Sequence, residues 1–409
     1  MRAGQRRAIS RGHQPHPDGR DAFHRVPTFV LCGIAFFLSA FSLPAAELRD
    51  DWIDPDTGHR VLRLSRVPGE SQSLYFHQNE FTSTGDKLVF ENNAPGETNR
   101  IYTYDFIRRE CELIVPGGGR AIIVGAKNRQ VYHQKSNTLS ATHLDTHRTK
   151  VLAQLPARWR VSTINADETV VAGNFVVGTN IDTSGPKSSW FNTIFEAKRE
   201  QGMFTLELAT GKTNIIKRGT DWYNHLQFSP TDPTLLQFCH EGPWHKLDRI
   251  WHIRTDGSGL RLIHPRTMPM EIAGHEFWSP DGQTVWFDLQ QPRGEKFFLA
   301  GVDVKSGKTT RYPIERNQWS VHYNISRDGK AFCGDGGSPG MVAKADDGQW
   351  LYLFTPQSDR TLKAEKLVNM AKHDYDLEPN MQFTPDGKWI VFRANFDGSP
   401  QVYAVAVAR

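Results

Sequence analysis

The densest group of residues able to act as acids, bases or ligands lies between Trp222 and His252. This stretch reads WYNHLQFSPTDPTLLQFCHEGPWHKLDRIWH and combines four histidines, several acids and Arg249 with aromatic residues. The runs FSPTDPTLLQF and DRIWHIRT have the composition of strands, which predicts that CHEGPWHKL between them forms a loop. Because loops held by rigid strands commonly bind polar ligands, this loop is predicted to form the rim of a binding site.

Similar side chains recur in other segments that resemble one another. They are His77 and Asn79 in YFHQNEF, His225 in YNHLQF, His240 in FCHEGP, His275 in GHEFW, His322 and Asn324 in WSVHYN, and Glu378 and Asn380 in DLEPNMQF. Each lies a few residues before or after a turn sequence such as SPDG. A lone histidine of this kind is more often structural, but five in comparable positions predict convergence on one site.

The residue types in this set define a chemistry. Imidazole, carboxylate and amide oxygen together suit a divalent transition ion such as Mn²⁺. A further histidine and an arginine would supply a base and a partner for a carboxylate. Proton abstraction next to a carboxylate needs these parts, because the ion and the guanidinium stabilise the charge that spreads onto the carboxyl group. The set is therefore compatible with β-elimination.

Seven copies of one pattern position these residues. Each copy is an apolar residue, a polar turn and a strand, and the copies begin at Phe81, Val124, Ile164, Phe228, Trp278, Ile325 and Phe383. A spacing of roughly 40 to 60 residues is typical of four-stranded propeller blades. Second hairpins such as LELATGKTNII and VDVKSGKTTRY lie between the copies. The predicted fold class is all-β, a seven-bladed β-propeller.

Helical periodicity is almost absent from the sequence. Only Trp190–Gln201, WFNTIFEAKREQ, is predicted to form a short helix, within an insertion between strands. Closure of the ring removes exposed sheet edges. We therefore expect a terminal strand, either Val402–Val407 or the segment near Arg60–Ser65, to complete the first blade.

The N-terminal segment has the composition of an export signal. Six arginines come before or at the start of an apolar run from Val26 to Phe41, which is followed by SLPAAE. The run is shorter than the roughly 20 apolar residues of a membrane-spanning helix, which favours a secretory signal over a membrane anchor. Residues 1–46 are predicted to be a signal peptide and residues 47–409 the propeller domain. The protein is predicted to be periplasmic or secreted.

The charge balance gives no reason to expect nucleic acid or a membrane surface as a partner. The chain of 409 residues has a net charge of +4, but residues 47–409 carry equal numbers of basic and acidic side chains. Cys111, Cys239 and Cys333 are widely separated and contain no CxxC. They define neither a disulfide framework nor a zinc site.

Several segments resemble the oligogalacturonate lyase family, seven-bladed propeller enzymes of pectin breakdown. They are YFHQNEFTSTGDKLVF, NHLQFSPTDPTLLQFCHEGPWHKLDRIW, GHEFWSPDG and EPNMQFTPDGKWIVF. The resemblance covers nearly all of the chain after the leader, and SPTDP followed by FCHEGPW and DRIW is its most specific part. It implies a Mn²⁺-dependent lyase that cleaves short, often unsaturated oligogalacturonides by β-elimination to 4-deoxy-5-keto uronates.

The resemblance also implies roles for individual residues. His275 of GHEFW would be the base that removes the C5 proton, and Arg249 of DRIW would neutralise the uronate carboxylate. His322 would be a metal ligand. The substrate is predicted to contact His77, Asn79, His225, His240 and Trp244.

The last blade departs from the family's metal motif. That motif has a Gln followed by His-Pro-His before the FTP turn, whereas this chain has Tyr375 and then Glu378-Pro379-Asn380. Glu and Asn are still able to ligate Mn²⁺ through oxygen. Glu378 and Asn380 are therefore predicted to be metal ligands together with His322. The substitution also leaves open a different uronide as the substrate.

Two other functions remain open at this point. A non-catalytic propeller of the periplasmic Tol type shares the SPDG turns but needs no convergent His, Arg and Glu. A serine hydrolase is indicated by Gly336–Gly340, GGSPG, which matches GxSxG. That motif requires a strand, a sharp turn and a helix, and the following MVAKADDGQWLYLF reads as a hairpin instead.

Overall fold

Antiparallel sheets arranged as blades make up the part of the chain that the computed structural model describes, residues 50–179, 181 and 187–409. There are seven such sheets, so the prediction of an all-β, seven-bladed propeller is confirmed. The predicted signal peptide, residues 1–46, lies outside the described residues. Within them, no helix is long and apolar enough to cross a bilayer.

The first two strands join the last blade, and blades 1 to 3 follow in chain order. The two strands are β1 (Asp51–Ile53) and β2 (Arg60–Arg63). Blade 1 contains β3 (Glu70–Ser73), β4 (Lys87–Asn93), β5 (Arg100–Asp105) and β6 (Glu110–Val115). Blade 2 contains β7 (Arg120–Val124), β8 (Gln130–Lys135), β9 (Thr138–His143) and β10 (Thr149–Gln154). Blade 3 contains β11 (Trp159–Ile164), β12 (Val170–Val176), β13 (Gln201–Glu207) and β14 (Thr213–Gly219), with helix α1 (Lys187–Glu196) between β12 and β13.

Blades 4 to 7 complete the ring. Blade 4 contains β15 (Trp222–Phe228), β16 (Leu235–Glu241), β17 (Ile250–Arg254) and β18 (Arg261–Leu262). Blade 5 contains β19 (Ile272–Trp278), β20 (Thr284–Gln290), β21 (Phe297–Asp303) and β22 (Thr309–Ile314). Blade 6 contains β23 (Tyr323–Ile325), β24 (Phe332–Gly334), β25 (Trp350–Pro356) and β26 (Leu362–Asn369). Blade 7 contains β27 (Gln382–Phe383), β28 (Trp389–Ala394) and β29 (Gln401–Ala406), and 3-10 turns lie at Trp244–Lys246 and Arg316–Gln318.

The repeated turn connects the first and second strands of a blade. In blade 5 the Ser279 hydroxyl donates to Asp281 Oδ1 at 2.6 Å and accepts the Thr284 N–H at 2.9 Å. Gly282 follows in the left-handed region, with φ +66°, where a residue without Cβ is favoured. Because the turn residues satisfy one another, the SPDG sequence specifies this hairpin locally.

Apolar side chains on the second strand of each blade form the core. In β20 the side chains of Val285, Phe287 and Leu289 are fully buried, and they pack in one cluster with Ile250 of blade 4. Antiparallel sheets that pack face to face bury both faces of their central strands. The blades are thereby held as rigid plates around the axis.

The ring closes in the last blade, which corrects the prediction that a terminal strand completes the first blade. β29 pairs with β28 on one side and with β2 on the other, where Val61 lies opposite Val405. β1 forms the outer edge of this sheet. The two segments that the sequence offered as alternatives therefore pair with each other.

Two local predictions are also corrected. The helix begins at Lys187 and ends at Glu196, because Gln201 pairs with Val176 as the first residue of β13. The predicted loop CHEGPWHKL is shorter, because Cys239 and the two residues after it continue β16 opposite β15. The GGSPG segment lies in a connection between β24 and β25 without a helix, so it lacks the structure that a serine nucleophile needs.

Candidate active site

Equivalent residues of the seven repeats lie in or close to the first strand of each blade. We define the bulge position as the third residue before the apolar residue that begins each repeat. Its occupants are Gln78, Ala121, Val161, His225, His275, His322 and Asn380. In blades 2 to 5 the pairing between the first and second strands shifts register here. A bulge of this kind re-aims a side chain away from the regular sheet.

The backbone at this position is unusual in three blades. His225 and His275 both have φ +49°, and Asn380 has φ +52°. Such values are uncommon for residues other than glycine, and they persist where the surrounding structure holds them. The strands therefore present these particular side chains at some cost in backbone energy.

His275 is fixed by an aspartate of the neighbouring strand. Its Nδ1 lies 2.8 Å from Asp288 Oδ1, which favours the tautomer with the proton on Nδ1 and leaves Nε2 as the acceptor. Burial, followed by the nearby His322, lowers the pKa of His275 below its ordinary value, and Asp288 opposes this shift. The imidazole is therefore neutral near pH 7 and able to accept a proton.

His322 has the same arrangement one blade further on. Its ring Nδ1 lies 2.8 Å from Asp335 Oδ2, and its backbone N–H donates to Asp335 Oδ1 at 2.8 Å. Nε2 of His322 lies 3.2 Å from the Tyr75 hydroxyl. The rings of His275 and His322 are 4.5 Å apart, centroid to centroid. Two imidazoles, each oriented by a buried carboxylate, thus meet at the junction of blades 5 and 6.

A cavity of about 660 Å³ opens beside these histidines. Its wall includes His275, Tyr75, Trp244 and Glu378, and the fully buried His322 lies behind this wall. Burial raises the pKa of Tyr75 well above its ordinary value, so its hydroxyl stays protonated. The volume is within the range of small-ligand sites.

The predicted metal ligands are only partly brought together. Nε2 of His322 lies 3.8 Å from Oε2 of Glu378, a separation that suits two ligands turned toward one ion. Asn380 is placed differently, because its Oδ1 accepts the Phe76 N–H at 3.2 Å and its Nδ2 donates to the Glu378 carbonyl at 2.9 Å. Its amide is therefore bonded to the backbone, and its role as a metal ligand stays a prediction.

The remaining donors still fit a divalent ion. One imidazole nitrogen and one carboxylate are a donor set that Mn²⁺ accepts, with water and substrate oxygens filling its other positions. Four buried carboxylates surround this region, and they belong to Glu241, Glu276, Asp288 and Asp335. Among the described residues, Arg249 is the only arginine or lysine that donates a hydrogen bond to any of these four carboxylates. This excess of negative charge favours a bound cation.

Arg249 is buried between two glutamates, contrary to its predicted place. Its Nη1 donates to Glu241 Oε1 at 2.6 Å, and its Nε donates to Glu276 Oε2 at 3.0 Å. The side chain is 1 % exposed and does not line the cavity. In this arrangement it has no face available for direct contact with a substrate carboxylate. Its guanidinium instead lies over the Trp244 ring at 4.7 Å and thereby positions a residue of the cavity wall.

His225, Cys239 and Glu276 form a second possible ligand group, with one donor atom each within 4.8 Å of the others. The Arg249 guanidinium lies beside it and would repel a cation. Burial also raises the pKa of the Cys239 thiol well above its ordinary value, which keeps it protonated and a poor ligand. The geometry thus favours the His322–Glu378 pair as the metal site.

Two of the predicted substrate-contacting residues, His225 and Trp244, line this cavity, and His77 lines a neighbouring cavity of about 480 Å³. The His225 ring packs against Tyr75 at 5.4 Å and against His77 at 5.5 Å. Trp244 donates its indole N–H to Glu241 at 2.6 Å and packs edge-on against His275 at 5.0 Å. The predicted contacts of His77, His225 and Trp244 with substrate are therefore sterically available.

Asn79 and His240 lie elsewhere. The Asn79 amide donates to the carbonyls of Phe81 and Val124, both at 2.8 Å, and joins blades 1 and 2. The His240 ring stacks on Trp251 at 5.0 Å, and burial lowers its pKa to about 4. Neither residue lines this cavity or the one next to it, and their contact with substrate stays a prediction.

Sequence reasoning missed the partners of the histidines. Asp288 and Asp335 each follow their histidine by 13 positions, so the repeat itself carried a signal that pairs them. Tyr75, two positions before His77, and Glu276, directly after His275, were also missed. The aromatic residues of the helix were missed as well, since Trp190 and Phe191 lie against Trp222 at the cavity wall.

Comparison with known proteins identifies similar sequences. The model of the oligogalacturonate lyase family matches residues 49–409. The oligogalacturonate lyase of Dickeya dadantii strain 3937 is 26 % identical over 383 residues, covering 87 % of this chain and 95 % of that protein. The oligogalacturonide lyase of Pectobacterium atrosepticum is 26 % identical over 386 residues, covering 87 % and 95 %.

Solved structures show the same fold. An oligogalacturonate lyase in complex with manganese superposes with a TM-score of 0.74 at 24 % identity, covering 87 % of this chain and 95 % of that one. The oligogalacturonate lyase of Vibrio parahaemolyticus superposes with a TM-score of 0.77 at 22 % identity, covering 88 % and 97 %. Since the family model spans nearly all of the described propeller, this chain belongs to the oligogalacturonate lyase family.

Proposed function

We propose that this chain is an oligogalacturonate lyase that cleaves short oligogalacturonides by β-elimination with the help of a divalent ion. The observation that carries the proposal is the pair His275 and His322. Each is held through Nδ1 by a buried aspartate, and their rings are 4.5 Å apart beside a cavity. One imidazole is placed to accept a proton, and the other is placed to hold a cation.

His275 acts as the base on the C5 proton of a galacturonate unit. Its lowered pKa keeps Nε2 deprotonated near pH 7, and Asp288 holds the ring and stabilises the imidazolium that forms. As the C5–H bond breaks, its electron pair becomes the C4–C5 double bond and the C4–O bond breaks. The departing oxygen takes a proton within the cavity, where the protonated Tyr75 hydroxyl is a donor.

His322 and Glu378 would hold the ion, and Asp335 orients His322 for this purpose. A bound divalent ion supplies Lewis-acid stabilisation of the charge that develops on the substrate carboxylate. The solved relative in complex with manganese makes Mn²⁺ the ion to test first.

Aromatic residues orient the sugar in the same cavity. Trp244 is fixed by Glu241 and Arg249. Trp190 and Phe191 of α1 line the same cavity. Flat apolar rings of this kind pack against sugar faces, and the carboxylate of the substrate would bind the ion. Arg249 acts indirectly, because it keeps the buried Glu241 and Glu276 ionised and Trp244 in place.

Export remains part of the proposal. Residues 1–46 have the order of a basic region, an apolar run and small residues. We propose that this segment directs the protein to the periplasm or beyond, and N-terminal sequencing of the protein recovered outside the cytoplasm tests it. A recovered N-terminus within residues 1–25 would contradict cleavage.

The central experiment uses Mn²⁺-loaded protein and unsaturated digalacturonate. Loss of the absorbance of the 4,5-unsaturated unit with release of 4-deoxy-5-keto uronate is expected. Reaction on other unsaturated uronides alone would keep the lyase mechanism and replace the substrate. No reaction on any uronide, with metal bound, would contradict the proposed function.

A further inference from the structure

A second cavity of about 480 Å³ lies next to the first. The two share the wall formed by Tyr75, Asn224 and His225. The second cavity is lined by the first strands of blades 2 and 3, on the far side of this wall from His275. A ligand longer than the first cavity would therefore extend into the second.

Two arginines occupy equivalent places in this second cavity. Arg120 and Arg160 each directly precede the bulge position of their blade, as His77 and Asn224 do in blades 1 and 4. Both arginines are exposed, and in the part of the chain that the structure describes neither takes part in an ion pair. The Arg160 guanidinium makes a hydrogen bond to its neighbour's carbonyl at 3.2 Å, which leaves most of its donors available.

A third arginine reaches the same cavity from blade 7. Arg393 is held by its Nε on the Glu378 carbonyl at 2.6 Å and by its Nη1 on Gln72 Oε1 at 3.0 Å. Both groups are neutral. Burial lowers the pKa of Arg393, and the carboxylates of Glu378, Glu80 and Asp335 oppose this shift. The two hydrogen bonds fix the side chain at the cavity wall.

The one acid in the lining does not offset these three arginines. Glu91 is largely buried, and burial raises its pKa against the opposing charges of Arg120 and Arg393. Its Oε1 is also occupied by the Ala121 N–H at 2.6 Å. The cavity therefore presents a positive field and free guanidinium donors, which are the features that select carboxylates.

We propose that this cavity is a carboxylate subsite for a further galacturonate unit, with Arg120 and Arg160 as its ligands. The inference rests on the proposed function, because it takes the bond-breaking site to be at His275. A dimer fills the first cavity, whereas the third unit of a longer oligomer places its carboxylate between the arginines of blades 2 and 3. The subsite then adds to the binding of oligomers of three or more units and not to that of the dimer.

The test compares substrates of different length. In the double variant Arg120→Gln/Arg160→Gln, kcat/KM for unsaturated trigalacturonate is expected to fall about tenfold or more, the effect of losing charge-assisted hydrogen bonds. The loss should lie in KM, and the values for the dimer should stay unchanged. Arg148→Gln, an exposed arginine on an outer turn of blade 2, is the matched control. An unchanged ratio of the trimer and dimer kcat/KM values in the double variant would overturn the proposal.

A binding measurement separates this proposal from the lyase mechanism. Calorimetric titration of metal-loaded His275→Ala protein, with and without the two arginine substitutions, avoids turnover of the ligands, which are saturated trigalacturonate and its methyl ester. Weaker binding of the acid by the double variant, with no change for the ester, supports the subsite even if no lyase activity is found. Equal binding of the acid with and without the two arginine substitutions would overturn the subsite while leaving cleavage at His275 intact.

Discussion

Blades 4 to 6 and blades 2 and 3 carry opposite chemistry at equivalent positions of their repeats. At the bulge position blades 4 to 6 have His225, His275 and His322, which we call the histidine wall. Blades 2 and 3 have small apolar residues there, and their polar residues, Arg120 and Arg160, stand one position earlier. We call these the arginine wall.

The difference lies in what surrounds each wall. The histidine wall is buried and backed by carboxylates on the neighbouring strands, such as Asp288 and Asp335. The arginine wall is exposed and makes no ion pair within the described residues. A repeated scaffold thus provides equal positions, and burial decides which become reactive and which only bind. Substitutions at the two walls should therefore differ in kind as well as in size.

Removal of the base should give the largest effect. His275→Ala is expected to lower kcat about 10²- to 10⁴-fold, because general-base catalysis contributes on that order. The melting temperature and the binding of oligogalacturonide should be retained. His147→Asn, at an exposed histidine of an outer turn, is the control. Near-parental kcat in His275→Ala, measured with metal bound, would remove His275 from the mechanism.

Two arginine substitutions should differ in their effect on stability, because Arg249 is buried beside His225 of the histidine wall and Arg120 of the arginine wall is exposed. Arg249→Ala leaves the buried Glu241 and Glu276 without their cation, so a loss of about 3–5 kcal/mol in the free energy of unfolding is expected. Arg120→Ala, at an exposed side chain without an ion pair, should change it by no more than about 0.5 kcal/mol. Urea denaturation measures both. Similar losses in the two variants would contradict the burial difference.

Metal content should distinguish two neighbouring positions. His322→Ala and Glu378→Gln are each expected to lower bound Mn²⁺, measured by elemental analysis after dialysis, because each removes a ligand. Asn380→Ala should keep the metal and lower the melting temperature, since its amide bonds the backbone of Phe76 and Glu378. Full occupancy in His322→Ala, or lost metal in Asn380→Ala, would reverse the assignment.

Acid sensitivity should come from buried histidines outside the active site and show the smallest effect. Burial lowers the pKa of His252 to about 3, whereas an unfolded chain binds this proton near pH 6.5. Its contribution to stability is complete above pH 6.5 and declines as pH falls toward 3, by about 1.4 kcal/mol per pH unit. His252→Phe keeps the stack on Trp278 and should flatten the pH dependence of the melting temperature between pH 6.5 and 4.5. An unchanged slope would contradict this assignment.

The fold was predictable because its signal is local. Each repeat turn satisfies its own hydrogen bonds, as Ser279, Asp281 and Thr284 do, so seven turns predicted seven blades. The pairing of the chain ends was missed because it joins residues at opposite ends of the sequence.

The site was predictable only in part. His275 and His322 were found from their positions, but their aspartates were missed, although the equal spacing was visible in the sequence. The burial of Arg249 and the backbone bonds of Asn380 depend on how neighbouring blades pack. Sequence spacing does not encode that packing. The side chains of Arg249 and Asn380 suit the predicted roles chemically, but the sequence does not show that they are bonded to other groups.

The pairing of β2 with β29 sets the order of events when the chain folds. The Val402 N–H bonds to Ser65 Oγ across a separation of 337 residues, and closing a flexible loop of that length costs on the order of 5 kcal/mol in chain entropy. Contacts this distant in sequence form late. During synthesis β2 therefore pairs only with β1 until β29 has emerged, and blades 1 to 6 are able to form before the ring is locked.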